Sequence, residues 1–165
     1  MFDAERLPFA TDRFDAVSCR FVAHHFPDPE AFLAEVERVL APGGVFALED
    51  LCVPADHDLT AYVNRIERLR DSGHVETYSR EQWLDWLAET GLTVETVHET
   101  SRRLEVDAWL DRMDVPVDNR RQIKSLLSDA PVALEEAFEF QYVDDGDGRR
   151  LESYRAGVVL FRARG

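Results

Sequence analysis

Cysteine and long apolar segments are both scarce in this sequence of 165 residues. Its two cysteines, Cys19 and Cys52, are too few for a disulfide-rich scaffold and lack the spacing of a zinc site. No apolar run approaches the roughly 18 residues that a membrane span needs. Residues 1–6 include two acids and no apolar core follows them, unlike a signal peptide. We therefore expect a reduced, cytoplasmic protein with no metal site and no membrane segment.

Lysine is scarce as well, because the 19 basic residues are 18 arginines and Lys124. Acidic residues number 33, so the formal net charge is −14. A surface of this sign repels phosphate backbones and anionic lipid headgroups. The charge therefore argues against nucleic acid or an anionic membrane surface as a partner.

Hydrophobic periodicity predicts a strand–helix–strand unit near the start of the chain. Residues 14–22 are mostly apolar, as in a strand that is covered on both faces. Asp28-Pro29 has the chemistry of a helix start, and apolar residues follow at helical spacing until Pro42-Gly43-Gly44 ends the helix. Residues 45–50 form a second short strand that ends in two acids. Because such crossovers join parallel strands, we expect a parallel sheet here.

Helices and strands continue to alternate in the rest of the chain. Apolar spacing, together with a capping box formed by Ser79 and Gln82, predicts further helices and strands. The helices lie near residues 59–69, 79–91, 106–113 and 123–127, and the strands near 93–99, 138–142 and 154–162. The turn at 144–148 joins the last two strands into a hairpin. The fold class is therefore α/β, in a single domain over residues 1–165.

Four short blocks follow one another over the first 44 residues. They are Asp3-Ala4-Glu5-Arg6-Leu7-Pro8-Phe9, Asp12-Arg13-Phe14-Asp15-Ala16-Val17, His24-His25-Phe26-Pro27-Asp28 and Glu35-Val36-Glu37-Arg38-Val39-Leu40-Ala41-Pro42-Gly43-Gly44. In this order and spacing, the blocks resemble the middle of a class I S-adenosylmethionine-dependent methyltransferase. The most similar branch is that of the ubiquinone/menaquinone-biosynthesis (UbiE-like) C-methyltransferases. The resemblance implies S-adenosyl-L-methionine as cofactor and a small-molecule methyl acceptor as partner.

The resemblance also shows which family features the sequence lacks. In the family, a glycine-rich loop follows the first strand and a ribose-binding acid follows the second, both upstream of the Asp3-Ala4 block. No Gly-x-Gly pattern follows a predicted strand here. We therefore expect a Rossmann-like methyltransferase fold lacking its first two strands, with a short parallel sheet and a C-terminal antiparallel β-hairpin. Without the glycine-rich loop, S-adenosylmethionine binding by this chain alone is expected to be weak or absent.

The expected topology leaves one strand without its usual neighbour. In the family, the strand at residues 14–22 pairs with the first strand of the sheet. An apolar strand edge without a partner must be covered or paired. We therefore expect a homodimer in which two copies pair through this edge about a two-fold axis.

The resemblance implies a cofactor site beyond the carboxyl ends of the strands. Its candidate residues are Asp3, Ala4, Glu5, Cys19, Arg20 and Phe21. Asp3 corresponds to the acid that accepts from the adenine amino group, whereas residues 19–21 correspond to the segment near the methionine portion. A solvated carboxylate at Asp3 and a salt-bridged Arg20 are the plainer alternatives.

Histidines supply the candidates for proton transfer. His24 or His25 is a possible general base toward the acceptor, because imidazole titrates near neutral pH. The alternative is that one of them packs in the core and the other caps the following helix. His74 and Tyr78, which precede the helix at Ser79, are candidates for a substrate lid.

Two other functional interpretations remain open at this point. The chain could be a non-catalytic dimeric relic or a binding module of methyltransferase fold. It could also be another nucleotide-binding α/β enzyme, such as a dehydrogenase. The Leu7-Pro8-Phe9 block and residues 39–44 argue against a dehydrogenase, because they match methyltransferases in order.

Overall fold

The computed structural model describes residues 3–144, 146 and 148–165. One mixed sheet carries the fold, and its strands are β1 (Phe14–Arg20), β2 (Leu40–Cys52), β3 (Thr93–Glu105), β4 (Gln141–Asp144) and β5 (Arg149–Arg164). The order across the sheet is β1-β2-β5-β3, and β4 pairs with the first part of β5. This architecture confirms the α/β class and the terminal hairpin.

Parallel pairing is confined to β1 and β2 in the described sheet. β5 runs antiparallel to β2 on one side and to β3 on the other. The second strand of the terminal hairpin is therefore also a central strand of the sheet. It has 16 residues, which lets it contact both halves of the molecule.

Six α-helices and one short 3-10 turn (Ala23–His25) connect the strands in the described residues. The helices are α1 (Pro29–Val39), α2 (His57–Arg70), α3 (Arg80–Ala88), α4 (Val106–Asp111), α5 (Val117–Ser128) and α6 (Val132–Ala137). The Asp28 carboxylate accepts from the Ala31 N–H at the start of α1. Ser79 and Gln82 form the predicted capping box of α3. None of these helices is both long and apolar enough to cross a bilayer.

The buried apolar residues form two clusters. The first lies between one face of the sheet and helices α1 and α3, and its largest fully buried side chains are Trp83, Phe46 and Phe161. The second joins α2, α4, α5 and α6 to the far ends of β3 and β5, around Trp109 and Tyr154. The two halves of the molecule are therefore built on the same long strands but on separate cores.

The prediction that residues 14–22 form a strand covered on both faces is wrong. Only Cys19 is buried in β1, whereas Ala16, Ser18 and Arg20 are exposed. Cys19 belongs to the core under α1 and α3, so the described helices cover one side of this strand. Side chains alternate across a strand, and the residues at even positions consequently face away from that core.

Residues 42–44 do not end α1 as predicted, since the helix ends at Val39 and β2 begins at Leu40. The Gly43 N–H donates to the Gly165 carbonyl and the Gly44 carbonyl accepts from the Gly165 N–H. Gly43 has φ of 77°, in the left-handed region that glycine tolerates. Contact with Gly165, at the other end of the chain, therefore extends β2. Local sequence patterns do not predict such a contact.

The strand predicted from residue 138 begins only at Gln141, because the short helix α6 precedes it. The Leu134 N–H donates to the Pro131 carbonyl and so starts the helix. With six residues, α6 is too short to show a helical period in the sequence. Phe138 then turns into the second core instead of continuing an alternating strand.

Candidate active site

A cleft of about 310 Å³ opens beyond the carboxyl ends of β1 and β2. Ligands of open α/β sheets bind at this edge, and the volume is within the range of small-molecule pockets. Its lining residues are Phe21, His24, His25, Leu51, Glu67, Arg70, Asp71, Arg102, Leu104, Trp109, Arg112 and Met113. One wall comes from the turn after β1 and the end of β2, and the other from α2, β3 and α4.

A second cavity of about 340 Å³ lies beside the start of α3. Its arginine, Arg80, forms ion pairs with Glu81 at 3.0 Å and with Glu99 at 3.1 Å. No histidine is among its lining residues. The two carboxylates of this cavity, Glu81 and Glu99, are already paired with Arg80, so the cleft at His24 is the better candidate for an active site.

Asp50, at the end of β2, holds His24 in place. Its Oδ2 accepts from the His24 backbone N–H at 3.0 Å, and its Oδ1 accepts from the His24 Nδ1–H at 2.7 Å. Oδ1 also accepts from the Leu51 N–H. The Asp50 side chain is almost fully buried. Since Nδ1 carries the proton, Nε2 is the basic nitrogen of a neutral His24.

His25 is held by a different set of contacts at the same turn. Its Nδ1–H donates to the Gly73 carbonyl at 2.8 Å, and its Nε2 lies 3.8 Å from an Asp71 carboxylate oxygen. The two neighbouring imidazole rings have centroids 4.3 Å apart. Both histidines predicted as catalytic candidates therefore line the cleft, but only His24 is oriented by a buried carboxylate.

His74 lies behind His24 rather than in the cleft lining. The two rings stack with centroids 5.6 Å apart, and the His74 Nε2–H donates to Asn64 Oδ1 at 2.8 Å. Burial lowers the pKa of His74 to about 4, and a positive charge on the neighbouring His24 ring would lower it further. His74 is thus a neutral support for His24 near neutral pH.

The opposite wall is fixed by a buried ion pair. Arg70 donates to Glu67 Oε2 at 3.3 Å, and its guanidinium lies 4.6 Å from the centre of a Trp109 ring. Burial raises the pKa of Glu67, while the charge of Arg70 opposes that change. Burial likewise raises the pKa of Tyr154, and the negative charge of Glu67 raises it further. These contacts join α2 to α4 across the second core.

The residues predicted near the cofactor methionine occupy three different environments. Cys19 is buried in the first core, and burial raises its pKa to about 12, so its thiol is not a nucleophile. Arg20 is exposed and donates to Glu49 Oε2 at 2.6 Å. Phe21 lines the cleft with φ of 49°, which is uncommon for a residue other than glycine. The left-handed conformation thus ends β1 at the rim of the cleft.

The predicted adenine-binding segment lies beside the start of α1. Asp3 Oδ1 accepts from the Glu5 N–H at 3.0 Å, and Glu5 Oε1 accepts from the Asp28 N–H at 2.7 Å. Ala4 packs against the first core. None of these three residues is among those that line the cleft.

Tyr78, predicted as a lid residue, is buried among Trp83 and Trp86 in edge-to-face contacts. Burial raises its pKa to about 12. The structure therefore brings Phe21, His24 and His25 together, places His74 directly behind them and leaves Tyr78 in the core. Within the described ranges, no group of three or more His, Cys, Asp or Glu residues is arranged to hold a metal ion.

Sequence reasoning missed most of the cleft wall. Asp50 had a signal, because it was an acid at the carboxyl end of a predicted parallel strand. Glu67, Arg70, Arg102 and Arg112 had none, since only the packing of α2 and α4 against β3 brings them together.

Comparison with known proteins identifies the family of the chain. The family model described as a methyltransferase domain matches residues 1–97, which include both His24 and Asp50. The uncharacterised methyltransferase YcgJ of Bacillus subtilis is 36% identical over 135 residues, covering 82% of this chain and 53% of YcgJ. The chain therefore spans about half the length of this relative.

Solved structures show the same fold. A candidate methyltransferase of Bacillus halodurans has a TM-score of 0.91 at 33% identity, covering 99% of this chain and 75% of that one. The YcgJ crystal structure has a TM-score of 0.91 at 32% identity, with coverage of 98% and 68%. Geranyl diphosphate C-methyltransferase of Streptomyces coelicolor, in complex with S-adenosyl-L-homocysteine, shares the fold at a TM-score of 0.57 and 15% identity, covering 99% and 52%. The chain belongs to the class I S-adenosylmethionine-dependent methyltransferases, as its four sequence blocks predicted.

His74 is expected to make the fold sensitive to acid between pH 6.5 and 4. Its pKa is about 4 when folded and 6.5 in the unfolded chain, so the unfolded state binds more protons in this window and stability falls as pH falls. The substitution His74→Gln should reduce this loss by at least about 1 kcal/mol, the value of roughly one pKa unit. Urea unfolding at several pH values measures the free energy of unfolding of both proteins.

The matched control is His57→Gln, since His57 is exposed at the start of α2. Its stability should follow that of the unmodified chain at every pH. Parallel curves for the His74 variant and the unmodified chain would contradict the assignment of a buried, neutral His74.

Proposed function

We propose that the protein transfers a methyl group from S-adenosylmethionine to a small-molecule acceptor in the cleft at His24. The observation that carries this proposal is the His24–Asp50 pair, which lies where two parallel strands end in a chain of the methyltransferase family. The S-adenosyl-L-homocysteine complex of the Streptomyces coelicolor enzyme supports the choice of methyl donor.

The end of the cleft at Phe21 and Asp71, away from Arg102 on β3, suits a sulfonium cation. Phe21 and His25 present aromatic rings there, and Asp71 contributes a carboxylate. Cations are attracted to the faces of aromatic rings and to negative charge. S-adenosylmethionine would supply an electrophilic methyl group at this surface. Residues Asp3 to Glu5 stay candidates for binding the adenine.

His24 is suited to act as the general base. A hydroxyl, amine or acidic C–H of the acceptor must lose a proton when it gains a methyl group, and Nε2 of His24 is the basic nitrogen that faces no described partner. Asp50 keeps the proton on Nδ1 and stabilises the imidazolium that forms. The protein otherwise contributes position and exclusion of water, because methyl transfer is an in-line displacement.

The finer predictions from sequence stay proposals. Membership of the UbiE-like branch would make the acceptor atom a carbon, whereas the fold alone is equally compatible with oxygen and nitrogen acceptors. A cytoplasmic location is consistent with two free thiols, Cys19 and Cys52.

Titration with S-adenosyl-L-homocysteine tests the proposed function without knowledge of the acceptor. We expect the NMR resonances of Phe21 and His24 to shift, because the donor would lie at the end of β1. NAD⁺ should leave the same resonances unchanged.

The control variant His24→Gln should keep the shift at Phe21, because a general base is not needed for donor binding. Absence of any shift at millimolar S-adenosyl-L-homocysteine would favour the non-catalytic alternative. Shifts with NAD⁺ alone would favour a dehydrogenase.

We also propose that two copies of the chain pair through β1. This strand is at the end of the sheet, and in the described residues its ladder hydrogen bonds reach only β2. Ala16 and Ser18 are exposed on it, so a second copy can approach. An edge of this kind readily pairs with another strand about a two-fold axis.

The double substitution Ala16→Lys with Ser18→Lys should convert the dimer into a monomer, because like charges would face each other across the axis. Sedimentation velocity at about 50 μM measures this. The matched control, Thr96→Lys with His98→Lys, carries the same change on β3, the other sheet edge, and should remain dimeric. A monomeric unmodified chain at this concentration would contradict the proposal.

A further inference from the structure

Two arginines on β3 and after α4 line the cleft and have no carboxylate partner among the described residues. Arg102 lies on β3 and Arg112 directly follows α4, and both line the cleft. Among the described residues, neither side chain has an ion pair within 4.0 Å or a hydrogen bond. Arg70, on α2, differs because Glu67 already neutralises it.

Most arginines of this chain do have a carboxylate partner. Acidic residues outnumber basic ones by 33 to 19, so carboxylates are abundant. At least twelve of the 18 arginines do form ion pairs with them. Two unneutralised guanidinium groups in one cleft therefore form a local positive site on a negative protein.

Apolar side chains also line the cleft on the side of these arginines. Leu104 and Trp109 are buried, and Met113 is exposed beside Arg112. Leu51 extends the apolar surface toward the end of β2. A molecule that fills this space would place hydrocarbon or an aromatic ring against Trp109 and a negative group at the arginines.

We propose that the cleft selects a methyl acceptor with an aromatic or aliphatic body and a carboxylate or phosphate group, which Arg102 and Arg112 bind. This inference rests on the proposed function, because it identifies the occupant as the acceptor. Guanidinium groups suit the anionic group of such an acceptor, since they bind carboxylate and phosphate oxygens in a bidentate manner.

The position of the arginines separates the anionic end of the acceptor from its reactive atom. β3 and β1 are three strand spacings apart in the sheet, or about 14 Å. His24 follows β1, whereas Arg102 is on β3. The acceptor would therefore span the cleft, with its anion at the arginines and its methylated atom near His24.

The carboxylate of the methyl donor is the other anion that could reach these arginines. The proposed donor site at Phe21 follows β1, so the wall at β3 favours the acceptor. The experiment must nevertheless separate the two sources.

Binding of 4-hydroxybenzoate and 4-hydroxybenzamide, without any methyl donor, tests the proposal. The two probes have the same shape and differ in charge. The carboxylate should bind at least about tenfold more tightly, which is 1.4 kcal/mol, as measured from the shift of the Trp109 indole N–H resonance. Arg102→Gln or Arg112→Gln should reduce this preference to about threefold or less.

Arg103→Gln is the matched control. Arg103 neighbours Arg102 on β3 but faces the other side of the sheet, where it donates to Ser153 Oγ at 2.8 Å. This variant should keep the full preference for the carboxylate. Phenyl phosphate, titrated in parallel, should depend on the same two arginines.

Equal affinity for the two benzoyl probes would overturn the inference. The proposed function would still stand in that case if S-adenosyl-L-homocysteine shifted the Phe21 resonance. Loss of S-adenosyl-L-homocysteine binding in Arg102→Gln would also overturn it, because the arginine would then serve the donor. A third outcome is that the chain prefers the carboxylate probe through these arginines but does not bind S-adenosyl-L-homocysteine. That result would support the anion site and contradict methyl transfer.

Discussion

The contact between Asp50 and the turn after β1 fixes the geometry on which the rest of the site depends. One buried carboxylate accepts from the backbone and the ring of His24, and also from the Leu51 N–H. Without these donors, the buried negative charge of Asp50 would have no hydrogen bonds to offset its desolvation. This cost holds the turn in its position. Phe21 precedes this turn, and its own backbone N–H donates to the Glu49 carbonyl at 2.8 Å.

The two cores give the cleft two independently supported walls. The first core places the ends of β1 and β2, and with them His24 and Asp50. The second core fixes α2 and α4 against β3, where Arg70 stacks on Trp109. Because β5 contributes to both cores, one strand connects the His24 side of the cleft to its arginine side.

Local chemistry made much of this fold predictable from the sequence. The capping residues Asp28 and Ser79 act within three residues, so their helices begin where predicted. The ordered blocks identified the family, and with it the sheet and the adjacent histidines. Contacts between distant residues were not predictable: His24 and Asp50 are 26 positions apart, and Arg102 reaches the cleft only through the second core.

The protonation state of the His24 ring tests the central claim most directly. The ¹⁵N chemical shifts of its imidazole, recorded above pH 8, report which nitrogen carries the proton. We predict a protonated Nδ1, bound to Asp50, and an unprotonated Nε2 that is free to accept a proton from substrate. A ring protonated at Nε2, or one that averages between the two forms, would contradict the account.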